Sequence, residues 1–288
     1  MINRLSPPVN CGETIDYLLK KKNRARKSHL SNLEEERIAF EKNSKILEEA
    51  IVGDAAKKFV YIDNIKFDKI STDAGYIYRE YVKGSIRETI LNIWRRQCVY
   101  CMVGHATQLD HFFPKDNFPF LSIDPWNLVP SCNECNQRKA RYYGSISEGR
   151  SPLLHPYSYG KVPRFLSLDI SFHYDAVEQR SSARCQFYFN NFACIDCVEK
   201  EYLINQLTVL RLFDNWEAHI KERTLQYLFE TVKNNKRANS SFSAGDLAIV
   251  LKYDVMKYND NDRNNPEKLF YEKVLHDDDF IRSMIEYL

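Results

Sequence analysis

The chain has little of what makes linkers, membrane spans or secreted scaffolds. Its 288 residues include only 9 glycines and 10 prolines, too few for long flexible or proline-rich connectors. No apolar run approaches the ~20 residues that cross a bilayer. The opening MINRLSPPVNCGETIDYLL also lacks the continuous apolar stretch of a secretory signal. A cytoplasmic location is the expectation. Charge of one sign is lacking too: 41 Lys and Arg face 39 Asp and Glu, a formal net charge of +2. Overall charge therefore selects no partner, and only its local distribution can speak for or against nucleic acid. There is no internal repeat.

What is present is a composition of 44% hydrophobic and 13% aromatic residues, enough to bury one or two cores. Three zones are read along the chain. Residues 1–96 form a helical arm, in which Ser31 and Glu34 give a capping-box signal and Leu33, Phe40, Leu47 and Ile51 mark one helix face. A further helix is expected from about Ser85 to Trp94. Residues 97–160 carry the chemistry. Residues 161–288 open with two strands, Phe165 to Tyr174 and Arg184 to Phe189, and then turn helical. In that last zone Leu203, Leu207 and Leu210 mark one helix and Leu225 and Leu228 the next. Ser243 with Asp246 begins another, and a final helix starts at Asn265-Pro266 and runs toward Ile285.

The chain has 8 cysteines, and four of them form two close pairs, Cys98/Cys101 and Cys132/Cys135. A disulfide framework belongs to short secreted chains, whereas thiolates in two Cys-x-x-Cys turns supply the four soft ligands of a tetrahedral Zn²⁺ site. With all four positions filled by protein, such a site is structural.

Between and after the pairs run Asp110-His111-Phe112-Phe113-Pro114-Lys115, then Asn127-Leu128-Val129-Pro130, then Cys132-x-x-Cys135-Asn136-x-x-Lys139. In order and spacing these elements closely resemble the HNH endonucleases of the ββα-metal fold, many of which carry a zinc frame. The resemblance implies a metal-dependent phosphodiesterase that leaves a 5′-phosphate and a 3′-hydroxyl. In it Asp110 and Asn136 bind the catalytic metal, His111 activates water, and Asn127 braces the loop between the two strands.

The chemistry agrees with this independently. Phosphodiester hydrolysis needs a cation to neutralise developing charge and a base to deprotonate water. Asp110 and the Asn136 side-chain carbonyl offer oxygen to a hard ion, Mg²⁺ or Mn²⁺ rather than Zn²⁺. His111, with an ordinary pKa of about 6.5, suits the base, and a backbone carbonyl is expected as its partner. Asp110 and His111 can serve one phosphate only if their strand ends there, which Pro114 makes reasonable. Lys139, at i+3 from Asn136, is placed to reach a phosphate oxygen.

Other features are weaker. Arg95, Arg96, Lys115, Arg138 and Arg141 flank the motif and are candidate phosphate contacts, as is the basic run from Lys20 to Lys27. Cys194-Ile195-Asp196-Cys197, with Cys185 or His173, has the spacing of a second zinc site, set against small buried residues at a strand-to-helix junction. His105, on the strand before Asp110, and His155, in Leu154-His155-Pro156-Tyr157, are each a structural histidine or an auxiliary ligand.

The expected fold is α+β, a ββα-metal module with a structural zinc knuckle between mainly helical flanks. The expected function is Mg²⁺-dependent cleavage of DNA. RNA cleavage is one alternative, and a non-catalytic zinc-knuckle adaptor that binds nucleic acid is another. The layout also resembles stand-alone bacterial HNH proteins, among them the nuclease subunit of Septu-type antiphage defence systems. This implies an ATPase partner. Cutting both strands needs two sites or a reorientation, which suggests a homodimer or partner complex.

Overall fold

The computed structural model describes residues 7–20, 32–52, 77–78, 85–144, 152–157, 164–178, 180–190, 197–258 and 264–288. They combine helices with small antiparallel sheets, an α+β arrangement. No helix among them is long and apolar enough to cross a membrane. The chain divides into two compact units, the first drawn from 2–162 and 196–210 and the second from 163–195 and 211–288.

In the first unit, helix α1 (Cys11–Lys20) starts at a reciprocal cap. The Asn10 side chain accepts from the Glu13 amide and the Glu13 carboxylate accepts from the Asn10 amide, both at 2.8 Å. Helix α2 (Arg37–Val52) buries Phe40, Leu47 and Ile51, the stripe expected from their spacing. Ser31 of the expected capping box lies outside the described residues. Arg37 ties the two helices together through Asp16 at 2.6 Å while holding Glu41 on its own helix at 2.8 Å.

Helix α3 (Ser85–Ile93) ends in a left-handed turn, with φ of 49° at Arg95 and 55° at Arg96. Non-glycine residues seldom adopt that conformation, and here it reverses the chain into the first cysteine pair. Strands β1 (Gln108–His111) and β2 (Leu128–Ser131) pair antiparallel, Asp110 opposite Val129. Helix α4 (Asn133–Lys139) follows at once, capped by the Cys132 side chain. Helix α5 (Cys197–Val209) also belongs to this unit. One apolar core joins α1, α2, α3 and the sheet through Ile15, Phe40, Ile90, Leu109, Ile123 and Leu128. Full burial contributes about 1.5–3 kcal/mol for each large apolar side chain, so the helical arm is part of the body that holds the sheet.

In the second unit, β3 (Leu166–Asp175) and β4 (Arg180–Phe189) form a hairpin with Leu166 opposite Phe189. The Asp175 carboxylate organises the turn by accepting from the amides of Val177 and Glu178. Leu166, Leu168 and Ile170 alternate onto the buried face. Against it pack α6 (Leu212–His219), α9 (Pro266–Leu275) and α10 (Asp278–Tyr287), while α7 (Leu225–Ala238) packs on α10 and α8 (Ala244–Met256) on α9 and α10. The Ser243–Asp246 capping box forms. The single final helix expected from Asn265 is instead two. The chain leaves helical geometry at His276, and the Asp277 side chain caps a new start by accepting from the Phe280 amide at 2.9 Å.

Candidate functional site

The sulfurs of Cys98, Cys101, Cys132 and Cys135 lie within 4.8 Å of one another. For a Zn–S bond of about 2.3 Å, tetrahedral geometry puts neighbouring sulfurs about 3.8 Å apart, and the Cys101 and Cys132 sulfurs are separated by 3.9 Å. The cluster can hold a metal ion such as zinc. Backbone amides support the thiolates, Gly104 N donating to Cys101 Sγ at 3.2 Å and Cys135 N to Cys132 Sγ at 3.5 Å. Gly104 allows a close approach, since a Cβ there would stand 3.0 Å from both Cβ and Sγ of Cys132, tighter than ordinary contact.

Tyr100, inside the first cysteine turn and fully buried, donates its hydroxyl to Asp110 Oδ2 at 2.6 Å. Lys139 Nζ sits 2.9 Å from the same oxygen and donates to the His111 carbonyl at 2.9 Å. Burial holds the Asp110 carboxyl above the usual carboxylate range, even with Lys139 and Tyr100 acting to lower it. Lys139 is therefore a buried counter-ion of Asp110. This corrects the expectation that it reaches a phosphate: the i+3 spacing from Asn136 is real, but the ammonium is drawn under β1.

His111 ends β1, and both it and Asp110 line one cleft. Its Nε2 lies 2.8 Å from the Ser122 carbonyl. A carbonyl only accepts, so Nε2 carries the hydrogen and Nδ1 keeps its lone pair. Burial lowers the His111 pKa to about 4, which leaves the ring neutral at physiological pH. The Tyr78 ring meets it edge-on at 4.2 Å. Asn127, fully buried, accepts from the Phe113 amide at 2.7 Å and donates to the carbonyls of Phe113 and Leu121, each at 3.0 Å. These bonds fix the connection between β1 and β2. Asn136 Nδ2 donates to Gln108 Oε1 at 2.5 Å.

The cleft has a volume of about 470 Å³, and Asp110, His111 and Asn136 share its lining with Tyr78, Arg87 and Gln108. Of the expected phosphate contacts, Lys115 and Arg141 also line it. Arg95, Arg96 and Arg138 do not: Arg96 pairs with Glu88, and Arg138 with Glu134 and the Leu210 carbonyl. The basic run beyond Lys20 lies outside the described residues, as does Cys194 of the suggested second zinc site. His105 is exposed and forms an isolated bridge with Gln97 instead of lying on β1. His155 is buried against Phe112 and Tyr157, and its Nδ1 accepts from the Tyr157 amide. Sequence reasoning did not single out Tyr78, Arg87, Tyr100 or Gln108. For Gln108 a signal existed, because residues two apart on a strand share a face.

No protein-family model matches the chain, and no solved structure does. Over 79 residues it is 32% identical to the Septu protein PtuB of Bacillus thuringiensis, which covers 26% of this chain and 29% of that protein. Over 62 residues it is 36% identical to protein ea31 of Escherichia phage lambda, covering 21% of each. The matches thus span under a third of the length of either relative.

Proposed function

We propose that this chain is an HNH-type endonuclease that hydrolyses phosphodiester bonds in DNA with Mg²⁺ or Mn²⁺. The observation that carries the reading is the meeting of Asp110, His111 and Asn136 in one cleft, on a strand pair and helix tied to the four-thiol centre. The donor set fits a hard dication. Asp110 has Oδ2 committed to Tyr100 and Lys139, and Asn136 has Nδ2 committed to Gln108, so each keeps one oxygen to offer. Asp110 and Asn136 would hold the ion, which when bound neutralises charge developing on the phosphate. Cys98, Cys101, Cys132 and Cys135 would hold a structural Zn²⁺.

The remaining work falls to the protein. Nδ1 of His111 takes the proton of the attacking water, the Nε2 bond to Ser122 and the Tyr78 ring hold the imidazole in place, and Asn127 keeps the loop from shifting. Lys115 and Arg141, both beside Asp116, and Arg87, held by Glu88 and the Thr107 carbonyl, line the cleft and exchange those partners for the backbone of the substrate. The similarity to Septu PtuB supports a role as the effector nuclease of an antiphage defence system working with an ATPase partner. The test is digestion of matched DNA and RNA pools by the purified chain with Mg²⁺. We expect 5′-phosphorylated DNA fragments from the wild type and only a small fraction of them from His111→Ala in the same time; cleavage confined to RNA overturns the choice of substrate.

A further inference from the structure

Gln108 stands two residues before Asp110 on β1, so both side chains leave the strand on the same face. Asn133 and Asn136, three apart on α4, share one helix face. Gln108 bridges the two elements: its Nε2 donates to Asn133 Oδ1 at 3.0 Å, and its Oε1 accepts from Asn136 Nδ2 at 2.5 Å. Gln137 Nε2 adds a second donor to Asn133 Oδ1 at 3.5 Å.

A relay of amides can run in either direction. In the direction found here, Asn136 commits Nδ2 and keeps Oδ1. Reversed, Gln108 would present Nε2, Asn136 would commit Oδ1, and an N–H would be left where a cation needs a lone pair.

We propose that Gln108 is a positioning residue that makes Asn136 a cation ligand, by capturing Nδ2 and leaving Oδ1 for a small octahedral dication. Such an ion takes few protein oxygens and keeps several waters. Asp110 matches that demand, because Tyr100 and Lys139 already occupy Oδ2. The inference rests on Asp110 and Asn136 being the ligands of the proposed reaction.

The test measures Mn²⁺ binding by electron paramagnetic resonance on the zinc-loaded full chain, without nucleic acid. Wild type is compared with Gln108→Leu, Gln108→Glu and Asn136→Ala. Outer-shell partners of this kind are worth roughly 10- to 100-fold in metal affinity, so Gln108→Leu is expected to weaken Mn²⁺ binding by that factor while zinc content is retained. A carboxylate at 108 can only accept, so Gln108→Glu loses the bond to Asn133 Oδ1, keeps the one from Asn136 Nδ2, and is expected to bind at least as tightly as wild type. That variant keeps the bond from Asn136 Nδ2, and comparing it with Gln108→Glu combined with Asn136→Ala, which binds just as tightly only if the new carboxylate is itself the ligand, decides the matter if Gln108→Leu fails to fold. Equal affinity in wild type and Gln108→Leu, or a Gln108→Glu variant weaker than wild type, overturns the inference alone. No Mn²⁺ binding by the wild type, or unchanged binding in Asn136→Ala, overturns the ligand reading and the inference with it.

Discussion

The ammonium of Lys139 and the carboxylate of Asp110 meet at 2.9 Å with side-chain exposures of 0% and 7%. A pair so deeply buried is a constraint more than a source of stability, because desolvation offsets most of its attraction. Breaking it leaves one charge uncompensated. Lys139→Met is therefore expected to lower unfolding free energy by about 3–5 kcal/mol, measured by urea denaturation of the zinc-loaded protein. Asp110→Asn combined with Lys139→Met should recover much of that loss, with coupling of about 1–3 kcal/mol. Strict additivity of the two substitutions contradicts the pairing.

Asp124 gives a pH signature. It is fully buried, accepts from Ser44 and the Trp126 amide, and burial pushes its pKa up to about 7. Between pH ~4 and ~7 the folded chain holds a proton that the unfolded chain has released, so this group's contribution falls as pH rises. Asp124→Asn keeps the acceptor and cannot ionise. It is expected to stabilise the protein by a few kcal/mol at pH 8, with the gain shrinking toward zero near pH 4. His155, held down to about 3 by burial, acts in the opposite sense. It stays neutral when folded and protonates when unfolded, so stability is lost as pH falls below about 6.5. In wild type the two oppose each other, and Asp124→Asn should be the more acid-sensitive protein. A gain that is the same at every pH contradicts this assignment.

Gly104 tests the thiol centre. Gly104→Ala would force a methyl group against Cys132 and Cys101, and overpacking of this sort costs about 1–3 kcal/mol. Competition with a chromogenic chelator should show zinc affinity reduced by roughly tenfold or more. Wild-type zinc retention in this variant contradicts the tight packing.

The parts of the site that were legible in the sequence are those whose meaning is local. Two Cys-x-x-Cys turns announce four sulfurs wherever the chain brings them together, and Asp110-His111 is a contiguous pair. The capping signal at Ser243 needs only three residues beyond it. Partnerships across elements were not legible. The fate of Lys139 depends on how α4 lies against β1, and an i+3 count cannot say whether an ammonium points to solvent or inward. Tyr78 and Arg87 come to the cleft from segments with no motif. Tyr100 reads as an ordinary aromatic until its hydroxyl is seen on Asp110. The break between α9 and α10 turns on Asp277, a cap inside a run of three aspartates whose spacing alone favours a continuous helix.

Cleavage at the Asp110–His111–Asn136 cleft is tested most directly by relaxation of supercoiled plasmid with Mg²⁺ by wild type, His111→Ala and Asn136→Ala, each confirmed to carry zinc. A positioned general base contributes on the order of 10²–10⁴ in rate. Losses of that size are expected for His111→Ala and a comparable loss for Asn136→Ala, with no relaxation by any of them in chelator. Equal rates in all three proteins would contradict cleavage at this cleft.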